Sequence, residues 1–152
     1  MKLDQVDRRI LSQLQADGTL SQNALAGSVG ASAASCWRRI KALENEGILG
    51  STVRLVDAER IGLSVHAFCR VRLTNHLPAT SRAFESFLAE RPEIIQCYAI
   101  CGDWDYLMHI LTKDVAAYED FLRRHLLSHP VVAASSSEFA LSQRKYTTAL
   151  PV

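Results

Sequence analysis

Long apolar runs are missing from this chain. The hydrophobic stretches fall well short of the roughly 18 residues that a membrane-crossing helix needs, so no membrane span is expected. No secretory leader is expected either, because residues 1–15 are charged and amphipathic and lack a continuous apolar core. An excess of one charge is also lacking, with a formal net charge of +1. Nucleic acid must therefore be met by a local basic patch, not by a global field. Cysteine occurs only at positions 36, 69, 97 and 101, and no CxxC pair is present. That argues against a zinc ribbon or a thioredoxin-like site and points to reduced, buried thiols in a cytoplasmic protein. Cys97 and Cys101 are four apart in a strand-like segment and read as core packing. His125 and His129 are also four apart, but Pro130 follows them and no acid or cysteine completes a ligand set. No nucleophile–base arrangement is visible. The chain is thus expected to carry no metal and no cofactor, and not to be an enzyme.

What is present is 152 residues of ordinary globular composition, 48% hydrophobic and 22% charged, enough for one medium or two small domains. The segment from Ser32 to Gly47 reads as one helix, capped by Ser32 and stopped at Gly47. Cys36, Ile40 and Leu43 share an apolar stripe, while Ala34, Arg38, Lys41 and Asn45 project from the other side. Small residues at the start (Ser32, Ala33, Ala34, Ser35) permit close approach to a DNA groove. Taken alone, the segment is equally an amphipathic surface helix. Its neighbours change that reading. Leu3, Val6, Ile10, Leu11 and Leu14 recur at helical spacing, with Asp4 and Asp7 at the favourable end of the helix dipole. Ser21 caps a short second helix, Leu20 and Leu25 can staple it, and Gly30 closes it. Two short helices joined by a tight turn, the second basic on its outer face, form a helix-turn-helix pattern. In it Ser35, Trp37 and Arg38 are expected at base edges, and Arg39 and Lys41 at phosphates; Trp37 is alternatively a packing residue. Arg8 and Arg9 read more simply as solvated.

Residues 48–56 read as a short β-ribbon or wing, and Asp57 to Gly62 as a connector. The expected division is a helix-turn-helix domain at 1–50, a wing and linker at 51–62, and a second domain at 63–152. In that second domain the hydrophobic period shifts to two over Val65–Leu73, which argues for a strand. Helices follow from Pro78 and from Asp114, and further strands are expected at 94–101, 106–112 and 131–142. The order βαββαβ implies a ferredoxin-like, ACT-like sandwich, so the fold class is α+β.

The segments LDQVDRRILSQLQADG, LAGSVGASAASCWRRIKALENEGIL, CGDWDYL and KYTTALP, in this order, resemble the Lrp/AsnC family across nearly the whole chain. The resemblance implies a transcription regulator with a DNA-binding domain and a ligand-sensing domain that drives assembly. Such proteins are homodimers that associate further, often to octamers, and respond to amino acids. Many members have proline where this chain has Ala33, Ala34 and Ser35, so base preference does not carry over. The resemblance further implies that Cys101, Gly102, Asp103, Trp104, Asp105 and Tyr106 line the effector pocket, at interfaces between dimers. There Asp103 and Asp105 can accept from a ligand ammonium, and the backbone around Gly102 can donate to its carboxylate. On composition alone the same turn is merely two solvated acids. Tyr98 and Ser135, Ser136 and Ser137, expected on neighbouring strands, are lesser candidates for the wall. The apolar setting (Ile100, Trp104, Leu107) leans towards leucine or methionine. Two other readings are a constitutive DNA-bending protein and a cofactor enzyme on the same fold. The second usually has a degraded recognition helix, and here Arg38, Arg39 and Lys41 are intact.

Overall fold

The computed structural model describes residues 2–152. The chain divides into two compact units, one holding the residues up to Leu55 with Arg144–Val152, the other Val56–Gln143.

The first unit is built on three helices, α1 (Gln5–Ala16), α2 (Gln22–Val29) and α3 (Ala33–Asn45). Each begins where a side chain can take up free amide N–H groups. Asp4 accepts from Val6 and Asp7 at α1, Ser21 from Ala24 at α2, and Ser32 from Ser35 at α3. Two glycines end the second and third helices. Gly30 at φ 69° closes α2, and Gly47 at φ 69° closes α3. Gly47 lets Ile48 N–H turn back to the Leu43 carbonyl at 2.9 Å. Ile10, Leu11, Leu25, Ala26, Val29, Cys36 and Leu43 form the core, with Leu3, Val6, Leu14, Leu20 and Ile40 packed against it.

One expectation fails in this unit. The β-ribbon over 48–56 does not form: Ile48 and Leu49 finish the α3 cap, and residues 51–57 have no strand assignment and are exposed. A ribbon needs a second strand to take its N–H and C=O groups, and none is provided among the described residues. The tail at 144–152 groups with the helices. The Gln15 carboxamide explains this. Its Nε2 donates to the Leu150 carbonyl at 3.2 Å, and its Oε1 accepts from Leu150 N–H at 2.6 Å.

The second unit is the expected sandwich. Strands β1 (Val65–Leu73), β2 (Ile94–Ala99), β3 (Tyr106–Thr112) and β4 (Val132–Phe139) lie in the order β2-β3-β1-β4, all pairs antiparallel. Helix α4 (Pro78–Ala89) and helix α5 (Val115–Phe121) complete the βαββαβ order. Beyond α5 the backbone widens by one residue, Leu127 N–H donating to the Leu122 carbonyl at 2.8 Å. Ala67, Cys69, Val71 and Leu73 alternate inward and meet Phe84, Phe87, Met108, Ile110, Tyr118, Phe121 and Leu126. Val115, in the first turn of α5, is exposed.

Phe84 has 0% exposure, stacks against Phe87 and meets Tyr106 at a tilt. Replacing it by alanine should cost this unit about 3–5 kcal/mol. Trp104 reports on this unit alone in a Trp37→Phe background, since the chain has 2 tryptophans. A fluorescence urea titration of that variant with and without Phe84→Ala checks the figure.

Candidate functional site

Helix α3 exposes Ala34, Trp37, Arg38, Lys41, Glu44 and Asn45 along one side, with the capping Ser32 at its start. Trp37 is 50% exposed, leaving half of its surface open beside Arg38. Arg38 has no ion-pair partner among the described residues. Lys41 holds only Glu44, at 2.7 Å on an exposed surface. Such pairs contribute little and yield readily to a stronger anion. Ala33 and Ser35 are half-buried, with Ala33 packed on the core. Arg8 and Arg9 on α1 are exposed.

Arg39 is a correction. Its Nη1 donates to Asp7 Oδ1 at 2.7 Å and to Asp4 Oδ2 at 2.8 Å, so its guanidinium turns towards α1. These hydrogen bonds, first Asp7 and then Asp4, hold the Arg39 pKa above its ordinary value. Asp4 is correspondingly lowered, chiefly by the Asp7 N–H it caps.

The second constellation is the β2–β3 turn. Ile100 N–H donates to the Asp105 carbonyl at 2.9 Å, closing a loop over residues 101–104. Gly102 sits at φ 118°, a conformation that side chains rarely adopt. The N–H groups of Cys101, Gly102, Asp103 and Trp104 donate to no backbone or side-chain acceptor among the described residues. Trp104 lies beneath the Arg72 guanidinium, 5.6 Å from its ring centre. Asp103 is exposed and Cys101 carries an exposed free thiol.

Asp105 departs from its expected role. Its Oδ2 accepts from Leu73 N–H at 2.7 Å and its Oδ1 from His76 Nε2 at 2.8 Å. The β1–β3 ladder ends at Val71 and Tyr106, and the Asp105 side chain continues it to Leu73. The Leu73 bond is the main cause that lowers the Asp105 pKa. Both oxygens are thus already engaged, whereas the Asp103 carboxylate is exposed. His76 and Arg72, neither foreseen from the sequence, are the nitrogen-bearing neighbours of this turn. The spacing Arg72 to His76 just after β1 carried no motif to mark them.

The wall residues separate. Tyr98 is 55% exposed on β2, near the base of the turn. Ser135, Ser136 and Ser137 lie on β4, the opposite edge strand, with β3 and β1 between. At about 4.8 Å per neighbouring pair, β4 lies about 14 Å from β2. The strands are therefore not neighbours. Ser137 also faces the helices, hydrogen-bonded to Tyr118 Oη and near Cys69. Burial raises the pKa of Tyr118 and of Cys69, and pushes the Cys97 thiol up to about 11. Cys97 is half-buried in β2, while Cys101 lies beyond the strand end. Tyr106 is half-buried, its ring 4.7 Å from that of Phe84. Among the described residues no group of His, Cys, Asp and Glu could hold a metal ion, and no helix is long and apolar enough to cross a membrane.

Known proteins match both units. A family model for a winged helix-turn-helix DNA-binding domain covers residues 3–49, and one for the Lrp/AsnC ligand binding domain covers 66–150. The DNA-binding transcriptional activator DecR of Escherichia coli K12 is 39% identical over 150 residues, 99% of each chain. A transcriptional regulator from Neisseria meningitidis, solved as an L-Met complex, is 35% identical with TM-score 0.93, over 99% of this chain and 97% of that one. An AsnC family transcriptional regulator from Agrobacterium tumefaciens is 38% identical with TM-score 0.92, over 98% and 97%. With a DNA-binding helix-turn-helix ahead of a ligand-binding sandwich, and full-length relatives that regulate transcription, the chain belongs to the Lrp/AsnC family of transcriptional regulators.

Proposed function

We propose that this regulator reads DNA through the exposed side of α3 and that an amino acid bound at the β2–β3 turn changes that reading. The observation that carries the proposal is the pair of cations on α3 beside the exposed Trp37: Arg38, with no ion-pair partner among the described residues, and Lys41, held by an exposed surface pair with Glu44. Arg38 and Trp37 are assigned to base edges and Lys41 to phosphate, with Ser32, Ala34 and Ser35 allowing close approach. The reading unit ends near Gly50, and residues 51–62 connect it to the sensing unit.

At the turn, the free N–H groups of Cys101 to Trp104 suit a carboxylate, and the exposed Asp103 carboxylate suits an ammonium. Both ends of a free amino acid are thereby recognised. Trp104, Ile100 and Leu107 supply an apolar setting for an aliphatic side chain, and the L-Met complex of the Neisseria relative favours methionine. The turn is exposed in one chain, so another copy is needed to enclose the ligand. Two hollows of about 460 and 520 Å³ flank α5, and neither includes residues 101–106. The sheet face without helices carries Phe68 at 37% and Tyr98 at 55% exposure, surfaces assigned to a second copy. A homodimer that associates further, up to an octamer, would pair reading helices on successive half-sites. Ligand binding between dimers would then shift assembly, and with it DNA geometry, in the cytoplasm.

For DNA, Arg38→Ala and Lys41→Ala are tested on a duplex selected from a randomised pool by the wild-type protein. Lys41→Ala should weaken binding to all sequences and reduce the salt slope by about 1, whereas Arg38→Ala should cost about 1–3 kcal/mol mainly on the selected sequence. If neither weakens binding, α3 is not the reader.

For the ligand, calorimetry with the twenty amino acids should give an aliphatic one, methionine foremost, as the tightest. Asp103→Ala removes a charged hydrogen bond, and should weaken that ligand by about 1.5–3 kcal/mol. Unchanged affinity would take the ammonium away from this turn.

A further inference from the structure

Arg39 lies between Arg38 and Ile40 on α3, yet its charge is consumed inside the protein. Its Nη1 bridges Asp7 Oδ1 at 2.7 Å and Asp4 Oδ2 at 2.8 Å. The two aspartates are themselves joined. Asp4 N–H donates to Asp7 Oδ2 at 3.0 Å, and Asp4 Oδ1 accepts from Val6 and Asp7 N–H at 2.8 and 2.9 Å. The cap of α1 and the middle of α3 are therefore one hydrogen-bonded network. The Asp7 side chain is 3% exposed, Asp4 52% and Arg39 27%.

From this we infer that Asp7 and Arg39 are positioning residues for DNA recognition, setting the roll of α3 about its own axis. The inference rests on the reading of α3 as the DNA-contacting helix. The apolar contacts of Cys36, Ile40 and Leu43 hold α3 on the core but have no directional preference. A guanidinium held between two fixed carboxylates does have one. At roughly 5–6 Å from the helix axis, a roll of about 20° moves a side chain by about 2 Å. That displacement is larger than a hydrogen bond to a base edge tolerates. The network also bears a local excess of negative charge, one arginine against two aspartates, so it does not attract phosphate. The acids of α1 thus act on DNA binding without touching it.

The two possible roles of Arg39 predict opposite signs for one substitution. Asp7→Asn removes a negative charge and keeps an oxygen for the Asp4 N–H. If Arg39 were a phosphate contact restrained by Asp7, this change would free it, tighten binding and steepen the salt slope by about 1. Positioning predicts that binding weakens although a negative charge has been lost.

The experiment uses the full chain, the selected duplex, and a scrambled duplex of the same length, titrated at several salt concentrations. Asp7→Asn and Arg39→Gln should each weaken the selected duplex by roughly tenfold, the size of one lost base contact. Binding to the scrambled duplex and the salt slope should stay at wild-type values. The double variant Asp7→Asn/Arg39→Gln, which restores a neutral hydrogen-bonding pair, should recover part of the loss. Tighter or unchanged binding in Asp7→Asn overturns the inference. An equal loss on both duplexes overturns it too, since that marks a role in folding only. Arg38→Ala separates the two levels: if it has no effect, the reading of α3 fails, and if it weakens binding while Asp7→Asn does not, only the positioning role fails.

Discussion

A carboxylate that leaves water must find hydrogen bonds or a counter-charge where it goes. Each unit of this regulator meets that constraint at one residue. Asp7, 3% exposed at its side chain, takes Arg39 and the Asp4 N–H. Asp105, 19% exposed, takes Leu73 N–H and His76. Both lie where two elements must be joined, α1 with α3 in one unit, and the end of β1 with the β2–β3 turn in the other. The cost of desolvation is what makes these joints specific, because a misplaced partner leaves the charge unpaired.

The groups that are not consumed in this way are those available to bind. On α3 they are Arg38, Trp37 and, behind a weak surface pair, Lys41. At the turn they are the amides of residues 101–104 and the Asp103 carboxylate. A fixed frame presenting a small number of unspent polar groups is what recognition requires, since the frame's ordering has been met during folding. The division also explains why neighbours differ in role. Arg38 and Arg39 are adjacent, and Asp103 lies two residues from Asp105, yet one of each pair faces out and the other holds the frame.

Elements that depend on local chemistry were legible in the residues. The caps Ser21 and Ser32, the stops Gly30 and Gly47, and the alternation along Val65–Leu73 all led to the elements observed. The βαββαβ order followed from them. What was not legible depends on partners distant in the chain. Nothing near Arg39 reveals that Asp4 and Asp7 will claim it from 35 and 32 residues away. Asp105 likewise reads as a solvated turn acid until the end of β1 is placed beside it, 32 residues away. Ser135 to Ser137 were separated from the turn by strand order, which periodicity does not encode. The ribbon at 48–56 failed because a strand pattern needs a partner strand. The tail joined the helical unit through a side-chain grip by Gln15, without any hydrophobic signal.

The central claim is that ligand at the turn and DNA at α3 are linked in one protein. Linkage is reciprocal: whatever factor an amino acid imposes on DNA affinity, DNA must impose on amino-acid affinity. The direct measurement is a pair of titrations on the full chain, DNA affinity with and without saturating tightest-binding amino acid, and amino-acid affinity with and without saturating DNA. The account predicts the same factor from both, roughly 5- to 150-fold. A factor of one in both titrations, with ligand and DNA each bound, would contradict it.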